Sequence, residues 1–327
     1  MTLDKELREL YVEELVKIAK DNNNIMVLDA DLMKAHKTNI FKDAYPERYI
    51  DVGVAEANMI GIAAGLANMG KIPFTHTFTP FSTRRVYDQI AISVGLAYLP
   101  VKIVGSDPGV TAELNGQTHM SFEDAGIMRN LPKMTIVEPV DIYQLRKLLP
   151  QIIEHDGPVY IRLDRKSKNA FFDENVDFKL GKIHEVKDGE DITIITSGIC
   201  LFEVMKAVEK AENEGISVKV LNMHTLKPVD SETIIKAAKK TNKIITVENH
   251  NIINGWGSAV AEVVSENYPV KVIRMGIKDH YGEVGKSDFL MKKYGIDADS
   301  IYKKIVESPV ISQEGNKKTM KINKDEK

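Results

Sequence analysis

Residues 51–66 read Asp51-Val52-Gly53-Val54-Ala55-Glu56-Ala57-Asn58-Met59-Ile60-Gly61-Ile62-Ala63-Ala64-Gly65-Leu66. The small and apolar run continues to Met69 and stops at Gly70, which predicts a helix over 54–69. Glycine inside a helix costs about 1 kcal/mol relative to alanine. Gly61 and Gly65, one turn apart, therefore need a packing reason: small residues at this spacing let another helix approach closely. Glu56 falls in the first turn, just after Gly53, where the positive end of the helix dipole favours a carboxylate. Taken alone, Glu56 reads as an ordinary N-terminal acid on a tightly packed helix.

Outward from this helix, strand and helix patterns alternate. Upstream, Leu3, Leu7, Leu10, Tyr11, Leu15 and Ile18 recur at helical spacing, with Thr2 as the expected cap. Asp21-Asn22-Asn23-Asn24 breaks that helix ahead of a buried strand at 25–28. Downstream, strands are expected at 72–75, 101–104, 135–137 and 159–163, with a helix running from Pro80 toward Ala97. A second series follows the polar stretches Lys166-Ser167-Lys168-Asn169 and Lys187-Asp188-Gly189-Glu190-Asp191. Its strands are expected at 192–196, 218–221, 244–247 and 270–273, and its helices start near Leu201, Ser231 and Ser258.

Strands alternating with helices imply right-handed crossovers and a mostly parallel sheet. The expected fold class is α/β, with two consecutive domains, each a mostly parallel sheet flanked by helices. The expected boundaries are 1–168 for the first domain, 169–189 for a linker, 190–311 for the second domain and 312–327 for a flexible Lys-rich tail.

Composition agrees with two well-filled cores. Of 327 residues, 43% are hydrophobic and 28% charged, and a domain uses about 150 residues. The balance of 44 Lys+Arg against 47 Asp+Glu lacks the basic surplus of a nucleic-acid binder. One cysteine, Cys200, makes neither an intramolecular disulfide nor a cysteine zinc site. It is expected as a core thiol. No apolar run reaches the ~18 residues of a membrane span, and the charged stretch from Met1 to Leu10 lacks the apolar core of a signal peptide. A cytoplasmic location is expected. Gly255-Trp256-Gly257-Ser258-Ala259-Val260 echoes a dinucleotide fingerprint, but Val260 stands at the third glycine and Arg274 where an acid belongs. It is expected simply to turn the chain tightly.

Gly53-Val54-Ala55-Glu56-Ala57-Asn58-Met59 resembles the G-[IV]-A-E-x-N-M signature of the transketolase family's pyrimidine-binding domain. Asp29-Ala30-Asp31-Leu32 resembles the same family's first-strand motif, and Phe78-Thr79-Pro80-Phe81 its T-F-x-x-F segment, followed by Ser82-Thr83-Arg84 and Arg85-Val86-Tyr87-Asp88-Gln89. Gly116-Gln117-Thr118-His119 resembles the G-x-T-H loop, and Gly157 to Arg165 the closing strand. In the second half, Val247-Glu248-Asn249-His250 and Gly255-Trp256-Gly257-Ser258 resemble the family's C-terminal domain.

The resemblance implies thiamine diphosphate as cofactor. It assigns to Glu56 the bond to N1′ of the aminopyrimidine, where a carboxyl in a dry site can share a proton with the ring nitrogen. It also implies that Phe78 and Phe81 flank the pyrimidine ring, where stacking contributes roughly 0.5–1.5 kcal/mol beyond area burial. Core packing at a strand end is their other reading. Asp31 matches an acid near the pyrimidine and could equally cap a strand. Arg84 is similar to an arginine of the deoxyxylulose-phosphate synthase branch, at a place where transketolases proper often carry an aromatic.

At the substrate end the resemblance assigns to His119 contact with the substrate and a share in catalysis with Glu56, and an imidazole can bond a sugar hydroxyl or move its proton near neutral pH. Arg8 and Arg165 match positions that bind a phosphate or distal hydroxyls, although Arg8 could also be a solvated surface residue. Two departures stand out. Asn115 replaces an aspartate that reads a sugar hydroxyl, exchanging an acceptor for a mixed donor and acceptor. Ala35 replaces a phosphate-binding serine, with His36 beside it. Both lie at the substrate end, so a non-standard ketose or aldehyde partner is expected.

No Gly-Asp-Gly occurs in the chain, whereas in the family such a motif, with a later asparagine, holds the diphosphate through Mg²⁺ or Ca²⁺ on oxygen ligands. The expectation is therefore a C-terminal subunit of a split transketolase. An N-terminal partner subunit would hold the metal, in an α2β2 assembly with self-association of this chain and the cofactor at the subunit interface. The substrate would be a sugar or sugar phosphate. The alternatives are the β subunit of a 2-oxo acid dehydrogenase E1 component, a deoxyxylulose-phosphate-synthase-like activity, and a retained non-enzymatic subunit.

Overall fold

The computed structural model describes residues 1–308. The expected tail at 312–327 and the domain end at 311 lie outside the described residues. The first half supplies β1 (Ile25–Asp29), β2 (Tyr49–Asp51), β3 (Ile72–Phe78), β4 (Lys102–Ser106), β5 (Thr135–Val137) and β6 (Val159–Leu163). The second half supplies β7 (His184–Lys187), β8 (Ile192–Thr196), β9 (Val218–Asn222), β10 (Thr225–Lys227), β11 (Lys243–Asn251) and β12 (Lys271–Ile277). β1, β4, β6, β8 and β9 are buried along their whole length, as parallel strands covered on both faces must be.

The first sheet runs β10-β5-β6-β4-β3-β1-β2 and the second β12-β11-β8-β9-β7. Every pairing is parallel except β10 with β5 and β7 with β9. The fold is thus α/β, with two mostly parallel sheets flanked by helices. In the first sheet Phe78 pairs with Ser106, and Ser106 with Leu163. This register aligns the carboxyl ends of β3, β4 and β6, the edge of a parallel sheet where ligands are held.

Several local expectations change. The first helix spans Leu7–Ala19 and is capped by Glu6. Thr2 instead bridges Asn169, because the backbone N–H groups of Leu3, Leu7 and Arg8 donate to the carbonyls of Lys168, Ser167 and Arg165. The glutamate helix starts at Glu56 and ends at Asn68. The helix expected from Pro80 to Ala97 is broken into Thr79–Ser82, a 3-10 turn at Arg84–Val86, Tyr87–Gln89 and a π-helical turn at Ile90–Gly95. The hydroxyls of Ser82 and Thr83 both donate to the Thr79 carbonyl, a side-chain bond that competes with the helix.

Residues 169–189, expected as a linker, contain β7, which pairs with β9. β10 comes from the second half of the chain yet closes the edge of the first sheet. The two halves also share buried polar contacts. The Val110 N–H donates to Asn249 Oδ1 at 2.9 Å, and Arg162 Nη2 donates to the Asn249 carbonyl at 3.0 Å. Arg162 is fully buried, with Nε on Asp124 at 2.6 Å and Nη1 on Glu138. Burial pushes Asp124 up, but Arg162 and His250 bring it below its usual range. Cys200 is fully buried at the start of the Cys200–Glu212 helix. No helix among the described residues is long and apolar enough to cross a membrane.

Candidate active site

Glu56 is the first residue of its helix and only 5% exposed. Gly53, with φ +71°, bends the chain into that position, a conformation glycine adopts at no steric cost. Glu56 Oε1 accepts from Arg85 Nη1 at 2.8 Å. The Arg85 guanidinium lies 3.8 Å from the Phe81 ring centroid, close enough for a cation–π contact.

Phe78 ends β3 and Phe81 follows in the next turn, their rings 6.3 Å apart and edge to face. The His119 ring packs edge-on against both, at 5.7 Å from Phe78 and 5.0 Å from Phe81. His36 continues the wall, 5.7 Å from Phe78. Its Nε2 bonds Ser106 Oγ at 2.8 Å. Burial, the neighbouring His76, and the charges of Arg165 and Arg8 hold His36 neutral, well below the usual imidazole range. Behind it, His76 bonds the Tyr11 hydroxyl at 3.0 Å, and burial lowers it to about 4.

At the far end Arg8 and Arg165 each donate an Nη1 hydrogen to the carbonyl of Ala35. Their own backbones are joined, Arg8 N–H to Arg165 carbonyl at 2.9 Å. Arg165 Nε also donates to Asp107 Oδ2 at 2.6 Å, and its guanidinium sits 5.1 Å from the Phe78 ring. Burial pushes the Asp107 carboxyl up against the pull of Arg165.

Eight of the residues singled out in the sequence or beside them thus form one connected surface: Glu56, Arg85, Phe81, Phe78, His119, His36, Arg165 and Arg8. Three expected members lie off it. Arg84 is exposed and bonds Glu123 Oε1 at 2.7 Å and the Thr118 carbonyl at 3.3 Å, tying the His119 loop down. Asp31 is exposed, with φ +61°, and its N–H donates to Asp51 Oδ1. Asn115 is exposed just before Gly116.

Arg85, rather than Arg84, reaches Glu56. The signal available in the sequence was a second cation next to the aromatic segment. Asp107, Ser106 and Glu6, which partner Arg165, His36 and Arg8, carry no motif. The Gly255–Ser258 turn is closed by the chain itself: Trp256 and Gly257 N–H donate to Glu248 at 2.7 and 3.1 Å. A Cβ at Gly255 or Gly257 would collide with Glu248.

Chemically, the surface joins a buried carboxylate, linked through Arg85 to flat aromatic walls, to a distal end with two guanidinium groups. The first part suits a small aromatic ring with a basic nitrogen in its edge, so these residues fit the aminopyrimidine of thiamine diphosphate.

Comparison with known proteins gives the family. Residues 4–169 match the family model "Transketolase, pyrimidine binding domain", and residues 181–301 match "Transketolase, C-terminal domain". The chain is similar to the 6-deoxy-6-sulfo-D-fructose transketolase subunit SqwH of Clostridium sp. (strain MSTE9), at 53% identity over 90% of this chain and 92% of the relative. It is also similar to a putative transketolase C-terminal section of Methanocaldococcus jannaschii, at 42% identity over 93% of this chain and 96% of the relative. A solved structure described as "Split gene transketolase, inactive beta4 tetramer" superposes with a TM-score of 0.86, at 39% identity, covering 92% of this chain and 97% of that one. The chain belongs to the transketolase family and consists of that family's pyrimidine-binding domain followed by its C-terminal domain.

Proposed function

We propose that this chain is the C-terminal subunit of a two-chain transketolase that moves a two-carbon ketol unit from a ketose to an aldose. Thiamine diphosphate would lie between it and an N-terminal subunit that holds the diphosphate through Mg²⁺ or Ca²⁺, in an α2β2 assembly. The observation that carries this reading is the buried Glu56 carboxylate, set at a helix N-terminus and linked through Arg85 to the Phe81, Phe78 and His119 ring cluster. Two similarities add support: a relative whose description names a transketolase subunit, and a related structure described as an inactive tetramer of β chains.

When bound, the cofactor supplies the nucleophilic carbon that carries the two-carbon unit. The protein's part is to position and to move protons. Glu56 would bond N1′ of the aminopyrimidine and share its proton, with Arg85 fixing the carboxylate's direction. Phe78 and Phe81 would hold the ring plane and exclude water. His119, packed on both rings, would bond a substrate hydroxyl and relay its proton. Arg8 and Arg165 would take the distal end of the sugar, next to a neutral His36. The 6-sulfonated sugar in the name of the SqwH relative makes a sulfonated ketose the first donor to try.

The test is Glu56→Gln in the enzyme assembled with its N-terminal subunit. Removing the proton-sharing group should lower kcat by two orders of magnitude or more, with assembly unchanged. Near-normal turnover would remove Glu56 from this role.

A further inference from the structure

At the distal end the two guanidinium groups are already matched by two carboxylates. Glu6 caps the Leu7–Ala19 helix by position, yet its side chain makes no capping bond. It turns instead to Arg8, accepting from Nε at 2.6 Å and also pairing with Nη2. Arg8 Nη1 is held by the Ala35 carbonyl. Asp107 takes Arg165 in the same way, and its Oδ1 is buried with no hydrogen-bond partner. Arg8 and Arg165 meet at the Ala35 carbonyl, next to His36, so the two ion pairs lie together at the distal end of the site. These four side chains carry two positive and two negative formal charges, and the neutral His36 imidazole adds none.

A phosphate ester carries about −1.5 to −2 near pH 7, whereas a sulfonate carries a single charge and offers the same three oxygens. A pocket built to take a dianion would leave its arginines uncompensated. Here the second charge of a phosphate would meet the Glu6 carboxylate.

We propose that Glu6, acting through Arg8, is a specificity-determining residue that makes the distal pocket select a singly charged oxyanion of the sulfonate class over a doubly charged phosphate ester. This deepens the proposed ketol transfer and rests on it for the placement of the sugar. One extra charge repelled across roughly 5 Å at this partly buried pair corresponds to about a tenfold change in preference.

The experiment measures kcat/KM of the assembled two-chain enzyme for a 6-sulfonated and a 6-phosphorylated ketose, in wild type, Glu6→Gln and Glu6→Asp. Wild type should prefer the sulfonate. Glu6→Gln should raise the phosphate-to-sulfonate ratio about tenfold, mainly by lowering KM for the phosphate, and Glu6→Asp should keep the wild-type preference. A ratio unchanged in Glu6→Gln, or both donors impaired alike, overturns the proposal. If the wild-type pair turns over neither sugar, the transfer reading fails separately. NMR titration of this chain alone with inorganic phosphate and with methanesulfonate then decides the selectivity. A gain in phosphate affinity specific to Glu6→Gln supports it, and equal affinities in wild type and variant overturn it.

Discussion

Arg162→Met should be among the most damaging single substitutions in this chain. Arg162 is fully buried, bonds both oxygens of Asp124 at 2.6 and 3.1 Å, donates to Glu138, and reaches the Asn249 carbonyl in the other half of the chain. Methionine fills much of the volume but strands two carboxylates and one carbonyl away from water. Removing one partner of a buried ion pair costs about 3–5 kcal/mol, which for a chain of this length corresponds to a fall in Tm of roughly 4–7 °C. Equilibrium urea unfolding and calorimetry measure it.

The sign of the pH dependence gives a second handle on the same variant. Stranded carboxyls have folded-state pKa values above their unfolded ones, so the variant binds extra protons when folded. Its deficit against wild type should therefore shrink as pH falls from 8 to 5. Adding Asp124→Asn and Glu138→Gln, which remove the stranded charges at constant size, should restore at least half of the loss. A deficit below about 1 kcal/mol, or one that does not change with pH, would refute the reasoning.

Three further outcomes follow from single sites. Gly109 has φ +56°, and a Cβ there would meet Asn249 Oδ1 at 2.1 Å, so Gly109→Ala should cost about 2–4 kcal/mol in urea unfolding. Burial, with the charge of Asp51 adding to it, pushes Asp29 up to about 7. Its contribution is then complete below the unfolded carboxyl range and lost as pH rises through 7, so Asp29→Asn should flatten the decline in Tm between pH 5 and 8. Arg85 is half exposed, so Arg85→Gln should change stability by less than about 1 kcal/mol. It should still lower turnover of the assembled enzyme about tenfold by freeing the Glu56 carboxylate; unchanged turnover would remove Arg85 from that task.

The parallel strands were legible because apolar residues dominate them, as in β1, β6 and β8, even where Arg162 or a threonine interrupts the run. β7 was hidden because His184-Glu185-Val186-Lys187 is a charged edge strand, polar on the face it shows to water. β10 is three residues long, and its partner β5 lies in the other half of the chain, so no local pattern announces it. The break after Pro80 depends on two hydroxyls reaching back to one carbonyl, a competition that helical periodicity does not register.

At the site, Glu56, Phe78, Phe81, His119, His36, Arg8 and Arg165 could be named because they sit in motifs. The choice between Arg84 and Arg85 could not be made from spacing, since neighbouring residues on a 3-10 turn point in different directions. Asp107 and Glu6 were invisible for a different reason. Each matters through the arginine it neutralises: Asp107 meets Arg165 only when β4 and β6 come together, and Glu6 turns to Arg8, two residues on, in place of capping the helix.

In the proposed function, this chain carries the pyrimidine half of a thiamine diphosphate site and a second chain supplies the diphosphate half. The most direct measurement is calorimetric titration of thiamine diphosphate with Mg²⁺ into this chain alone, into the N-terminal subunit alone, and into the two together. Weak binding to each chain and tight binding to the pair is the predicted result. Tight binding by this chain alone would contradict the account.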